Sequence, residues 1–203
     1  PAPPATAGVA PAYTTLVRRV SSRAALWVGA AWGFAEATFF FVVPDVWLGF
    51  VALYAPRRVP LTLLAIVAGA AAGITALYLA TLVAADGLTS AVLAMPDLGP
   101  SDLEQARARL AEDGTAAVVT ALLEGRPIKL YALAAALDGI GLVQLVLFTV
   151  LNRLARLVIV GAVLAAIGWA GRSVIARRPR AVALLYALSW TLFYAVYLVT
   201  HQG

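Results

Sequence analysis

The chain of 203 residues is 63% hydrophobic and only 12% charged, with a net charge of +5 and a mean hydropathy of +0.91. Soluble domains carry about a quarter of their residues as Asp, Glu, Lys and Arg, so the composition excludes a water-soluble fold and points to an all-α integral membrane protein. The absence of cysteine and the single histidine, His201, exclude disulfides, thiolate metal sites and multi-histidine centres, and the arginines flank apolar runs instead of lining a polar face, which argues against nucleic acid.

Residues Pro1 to Ala12 are rich in Pro and Ala. They read as part of a flexible cytoplasmic tail, 1–23, ahead of a single membrane domain, 24–200. No charged-then-apolar signal peptide precedes Arg18. The run Ala24–Ala55 is apolar except for Glu36 and Asp45 and is broken at Pro44. A spanning helix needs about 20 residues, so two spans do not fit, and the pattern predicts a re-entrant hairpin with its turn near Pro44. Leu61–Ala85 reads as a full span, with Gly69 and Gly73 on one packing face.

The segment 86–114 forms an outer loop, within which Ser101 and Glu104 suggest the start of a surface helix over Pro100–Asp113. Residues 115–138 repeat the earlier shape. Two short apolar arms, Thr115–Leu123 and Ile128–Leu137, flank the break Glu124-Gly125-Arg126-Pro127. Two such units, each with charges at a proline, predict opposed re-entrant hairpins and a weak inverted repeat. Leu142–Gly171 and Ala181–Thr200 complete about three transmembrane helices. Arg153 and Arg156 lie inside the first of these, which reads better as one continuous helix than as two fragments.

Charge placement sets the orientation. With both hairpins returning to their own side, Arg18, Arg19, Arg23, Arg57, Arg58, Arg172, Arg177, Arg178 and Arg180 share the cytoplasmic face, whereas the outer loop holds only Arg107 and Arg109. Tryptophans Trp27 and Trp169 suit the interfacial belts; Trp32, Trp47 and Trp190 suit packing.

Ionisable groups within membrane segments are expensive and mark candidate sites. Glu36 is open to two compatible roles: an ion pair with a base of the other hairpin, or a proton carrier. Asp45 either caps the returning helix or serves a cation or proton. Arg126 and Lys129 place two cations at the start of a helix, against its dipole, an arrangement that suits a bound phosphate. Its alternative is neutralisation by Glu124 and Glu36. Arg153 and Arg156 sit three apart on one helix face.

Gly33-Phe34-Ala35-Glu36, Pro44-Asp45, and Gly69 and Gly73 with Tyr78 resemble the DedA family, also called the VTT or SNARE-associated domain. The later Gly125-Arg126-Pro127-Ile128-Lys129 and Asn152-Arg153 through Arg156 are similar to its YqaA-like branch. The resemblance covers roughly Ala24 to Gly171. It implies a multi-pass protein of the bacterial inner membrane with two opposed hairpins, in a family that includes undecaprenyl-phosphate transporters and phospholipid scramblases or flippases. The family's functional acids match Glu36 and Asp45, and its basic pair matches Arg126 and, as a conservative departure, Lys129.

The resulting expectation is a lipid transporter. Arg126, Lys129, Arg153 and Arg156 would hold an anionic headgroup, and Glu36 and Asp45 would balance charge or exchange protons. Its partners are membrane lipids, and a homo-oligomer is compatible with it. A non-transporting scaffold for envelope integrity is the rival. An enzyme is not expected, because neither HExxH nor GxSxG occurs, and no cofactor or metal is expected either.

Overall fold

The structure is a computed structural model that describes residues 9–95, 98–119 and 127–200. Among these residues all regular structure is helical. Three helices are long and apolar enough to cross a membrane: α4 (Val59–Val83, led by a 3-10 turn from Pro56), α8 (Leu142–Ala170) and α10 (Pro179–Thr200). The other helices are α1 (Pro11–Val20), α2 (Arg23–Thr38), α3 (Asp45–Tyr54), α5 (Ala85–Leu93), α6 (Pro100–Asp113), α7 (Ile128–Leu137) and α9 (Arg172–Arg177).

The helix α1 corrects the expectation of a flexible tail through residue 23. Its apolar side, Tyr13, Leu16, Val17 and Val20, packs against α3 and α10, while Arg18 and Arg19 occupy its last turn. Proline at the first position suits a helix start. Ser22 then caps α2, its hydroxyl accepting from the Ala25 N–H at 3.2 Å.

The pairing of α2 with α4 follows from missing side chains. A Cβ on Gly33 would stand 2.2 Å from the Ile66 carbonyl oxygen, and one on Gly69 would stand 1.9 Å from that of Ala30. Gly73 meets Phe34 in the same way. The two helices therefore run parallel with their backbones in contact, glycine face to glycine face, the close approach typical of small-xxx-small helix pairs.

The chain turns after α2 and returns through α3, which lies along α8. Gly168 of α8 faces the Ala52 carbonyl, and Gly161 faces Leu48 and Val59. The helices α4 and α8 are antiparallel, because Gly161 meets Val59 at one end and the Tyr78 hydroxyl donates to the Ile140 carbonyl at the other, 2.7 Å away. Tyr186 and Tyr194 tie α10 to the α2–α3 hairpin. The Tyr186 hydroxyl donates to the Val46 carbonyl, and the Val43 N–H donates to Tyr194, each at 2.8 Å.

The short helix α7 is the centre of the protein. Residues Ile128 to Ala136 are buried on every face, as a helix apolar all round must be. The amphipathic α6 covers it with Leu103, Ala106 and Leu110. Gly99 rather than Ser101 is the N-cap of α6, because Pro100 takes the first helical position and the Asp102 carboxylate accepts from the Gly99 N–H at 2.8 Å. Arg107 of α6 pairs with Asp138 just after α7, and that carboxylate raises the guanidinium pKa further by hydrogen bonding and by charge. The first arm of the second predicted unit is described only to Val119, and Glu124, Gly125 and Arg126 lie outside the described residues.

Candidate functional site

Position along α8 decides which charges can meet. Arg153 stands eleven residues after Leu142, or about 17 Å into the helix at 1.5 Å per residue. The continuous helix predicted for this stretch is observed. Arg153 and Arg156, three residues apart, project from one side of it toward the tip of the α2–α3 hairpin.

Each arginine meets one acid of that hairpin. Arg153 Nη2 donates to Glu36 Oε2, and both side chains are buried. Arg156 donates through Nε and Nη2 to the two oxygens of Asp45, at 3.3 and 3.0 Å. Asp45 is 3% exposed. It stands in the first turn of α3, yet its carboxylate is spent on Arg156 and makes no capping hydrogen bond. The Arg156 side chain is 32% exposed, so this second pair has an open side.

Lys129 enters from the opposite direction, in the first turn of α7. It is 3% exposed. Its ammonium donates to the Phe40 carbonyl at the hairpin tip, 2.8 Å away, and lies 3.8 Å from Met95 Sδ. Among the described residues no carboxylate comes within ion-pair reach of it. The hairpin tip, the start of α7 and the inner face of α8 thus converge, and they bring together five of the six charged residues singled out from sequence. Arg126, the sixth, lies outside the described residues.

Comparison of the chain with protein-family models, with curated proteins and with solved structures finds no match. Its chemistry must therefore be read from the site alone.

Among the described residues the ion-pair partner of Glu36 is Arg153 of the long helix; of the second hairpin's bases, Lys129 acts on Glu36 only through its charge, and Arg126 lies outside the described residues. Sequence reasoning gave no site role to two polar contributors, Asn152 and Thr149. Asn152 Nδ2 donates to the Val118 carbonyl at 2.8 Å and anchors α8 to the chain ahead of α7. Thr149 Oγ1 and Arg153 Nε, one helical turn apart, are buried without a hydrogen-bond partner among the described residues. The signal for Thr149 was available as an i, i+4 neighbour of an intramembrane arginine. An unpaired buried donor costs about 1–3 kcal/mol, so the inner face of α8 favours a further polar group.

Proposed function

We propose that this protein is a membrane lipid transporter, flippase- or scramblase-like, that moves a lipid phosphate such as a polyprenyl phosphate or a phospholipid. The observation that carries this reading is the buried Lys129 ammonium, set beside two arginine–acid pairs with no carboxylate of its own among the described residues. The cluster of Glu36, Asp45, Lys129, Arg153 and Arg156 holds one more cation than acid. An uncompensated buried charge costs several kcal/mol, and an arriving phosphate offsets that cost through charge-assisted hydrogen bonds. The unpartnered Arg153 Nε and Thr149 Oγ1 add two groups able to bind its oxygens.

In this reading the α2–α3 hairpin is re-entrant, and residues 115–138 form its opposed, inverted counterpart in a DedA-type fold of the bacterial inner membrane. The phosphate enters from the open side of Arg156 and competes with Asp45 and Glu36 for their arginines. A released carboxylate takes up a proton, and re-forming the pairs expels the anion on the other side. That exchange couples transport to protons.

Purified protein in liposomes, supplied with labelled lipids, tests this directly. Wild type should move a phosphate-bearing lipid between leaflets, and Lys129→Gln should slow that movement by at least about tenfold at unchanged protein level. Movement of the phosphate lipid at the same rate in both would remove Lys129 from the site. A second reading, a non-transporting scaffold, is favoured by the pairing of both arginines with acids. It requires wild type to move no lipid at all.

The topology has its own test in this cysteine-free chain. With a cytoplasmic N-terminus, Arg58→Cys should resist an impermeant thiol label in intact cells, whereas Ser101→Cys should react. Labelling of position 58 from outside would rule out the same-sided return of the hairpin.

A further inference from the structure

We propose that the arginine-rich end of the bundle holds a discrete binding site for the phosphodiester headgroup of an acidic glycerophospholipid, separate from the Lys129 cluster. The site is a cavity of about 400 Å³ between α1, the 3-10 turn before α4, and the junction of α8 with α9. Arg57, Arg58 and Arg172 line it together with Tyr13 and Trp169. All three arginines are exposed, and none has a carboxylate within ion-pair distance among the described residues. Three unneutralised guanidinium groups around one cavity suit a phosphate, which accepts hydrogen bonds from several donors at once.

A lipid, and not a free anion, is the occupant because of what borders the arginines. The Arg57 guanidinium lies 5.7 Å from the centre of the Trp169 ring, a cation–π contact that holds it at the cavity wall. Trp169 is itself half exposed at the end of a membrane-length helix, where tryptophan sits at headgroup level. Above it the exposed Ala166 and Ala162, three and seven residues back from Trp169 on the same helix face, continue along α8, giving acyl chains an apolar path away from the same cavity. The amphipathic α1 closes the other side through Tyr13 and Val17, so a bound headgroup would also pin α1 to the bundle. Orientation alone requires basic residues at this end, but it requires neither a cavity nor a tryptophan-held arginine in it.

Mixed micelles of purified full-length protein with phosphatidylglycerol or phosphatidylcholine, read by native mass spectrometry, test the proposal. Wild type should retain one phosphatidylglycerol in preference to phosphatidylcholine. The triple variant Arg57→Gln/Arg58→Gln/Arg172→Gln should bind it at least about tenfold more weakly, while Arg18→Gln/Arg19→Gln on the same edge should bind it as wild type does. Equal loss in both variants would reduce the site to diffuse edge charge, and no loss in the triple variant would remove it. Displacement by inorganic phosphate at matching concentration would make the ligand a free anion and overturn the lipid assignment. Should the triple variant fail to fold, wild type with a headgroup-photoreactive phosphatidylglycerol still decides. Crosslinks should map to the peptides of Tyr13 and Trp169, and crosslinks confined elsewhere would overturn the site.

Discussion

Arg153→Met should strip most of the folded protein from the membrane, and Glu36→Met combined with it should bring the protein back. The pair is buried on both sides, so removing the arginine leaves a carboxylate without its charge partner. Breaking such a pair costs about 3–5 kcal/mol, a large share of the roughly 5–15 kcal/mol that holds a typical protein folded. Removing both charges leaves two apolar side chains of fitting length and no uncompensated acid. The measurement is the monodisperse fraction on size exclusion after detergent extraction, followed by thermal unfolding of whatever survives. Arg156→Met should lose less, because its partly exposed side chain already touches the surroundings. Normal yields of Arg153→Met would show that the pair is not what holds α8 to the hairpin. The double variant also separates stability from transport. Under the proposed transport function it should fold, yet lose the movement of a phosphate lipid because the anion would have lost a guanidinium.

The second large effect lies at Gly69. Even Gly69→Ala places a Cβ 1.9 Å from a backbone oxygen of α2, and a backbone oxygen cannot swing aside as a flexible side chain does. Ordinary overpacking costs about 1–3 kcal/mol; here the helices must separate, and the loss should exceed that range, with Gly69→Val worse still. Gly87 provides the control, since a Cβ there meets nothing within 4 Å. Gly87→Ala should be neutral or stabilise by up to about 1 kcal/mol, as expected for Gly replaced in a helix. Thermal unfolding in one detergent compares all three. A Gly69→Ala variant as stable as wild type would mean that α2 and α4 do not approach as described.

The three long helices were legible because twenty apolar residues leave few alternatives, and α8 was legible as continuous because neither half could span alone. The GxxxG face of α4 was also readable, but its partner was not. Gly29 and Gly33 show the same spacing in α2, yet only the fold reveals that the two faces meet. The site residues were found as costly intramembrane charges. Their pairing was not, because Glu36 and Arg153 lie 117 positions apart and local spacing carries no information over that separation. The helix α1 was missed for a different reason. Its first residues share the Pro and Ala content of a disordered tail. Thr14, Thr15, Arg18 and Arg19 then interrupt an apolar side that matters only once α3 and α10 are there to receive it.

The same long separations set a clock on synthesis. Chains elongate at about 5–20 residues per second, so Arg153, 117 residues after Glu36, leaves the ribosome roughly 6–23 s later. Arg156 follows Asp45 by 111 residues, with much the same delay. Throughout that interval the nascent α2–α3 hairpin carries two acids whose partners do not yet exist, and for most of it α7 (Ile128–Leu137), too short to insert unaided, has not arrived to support its tip. The N-terminal half is therefore the stage at which an insertase or a quality-control protease has longest to act. Slowing translation between α4 and α8 would lengthen that exposure without changing a single residue.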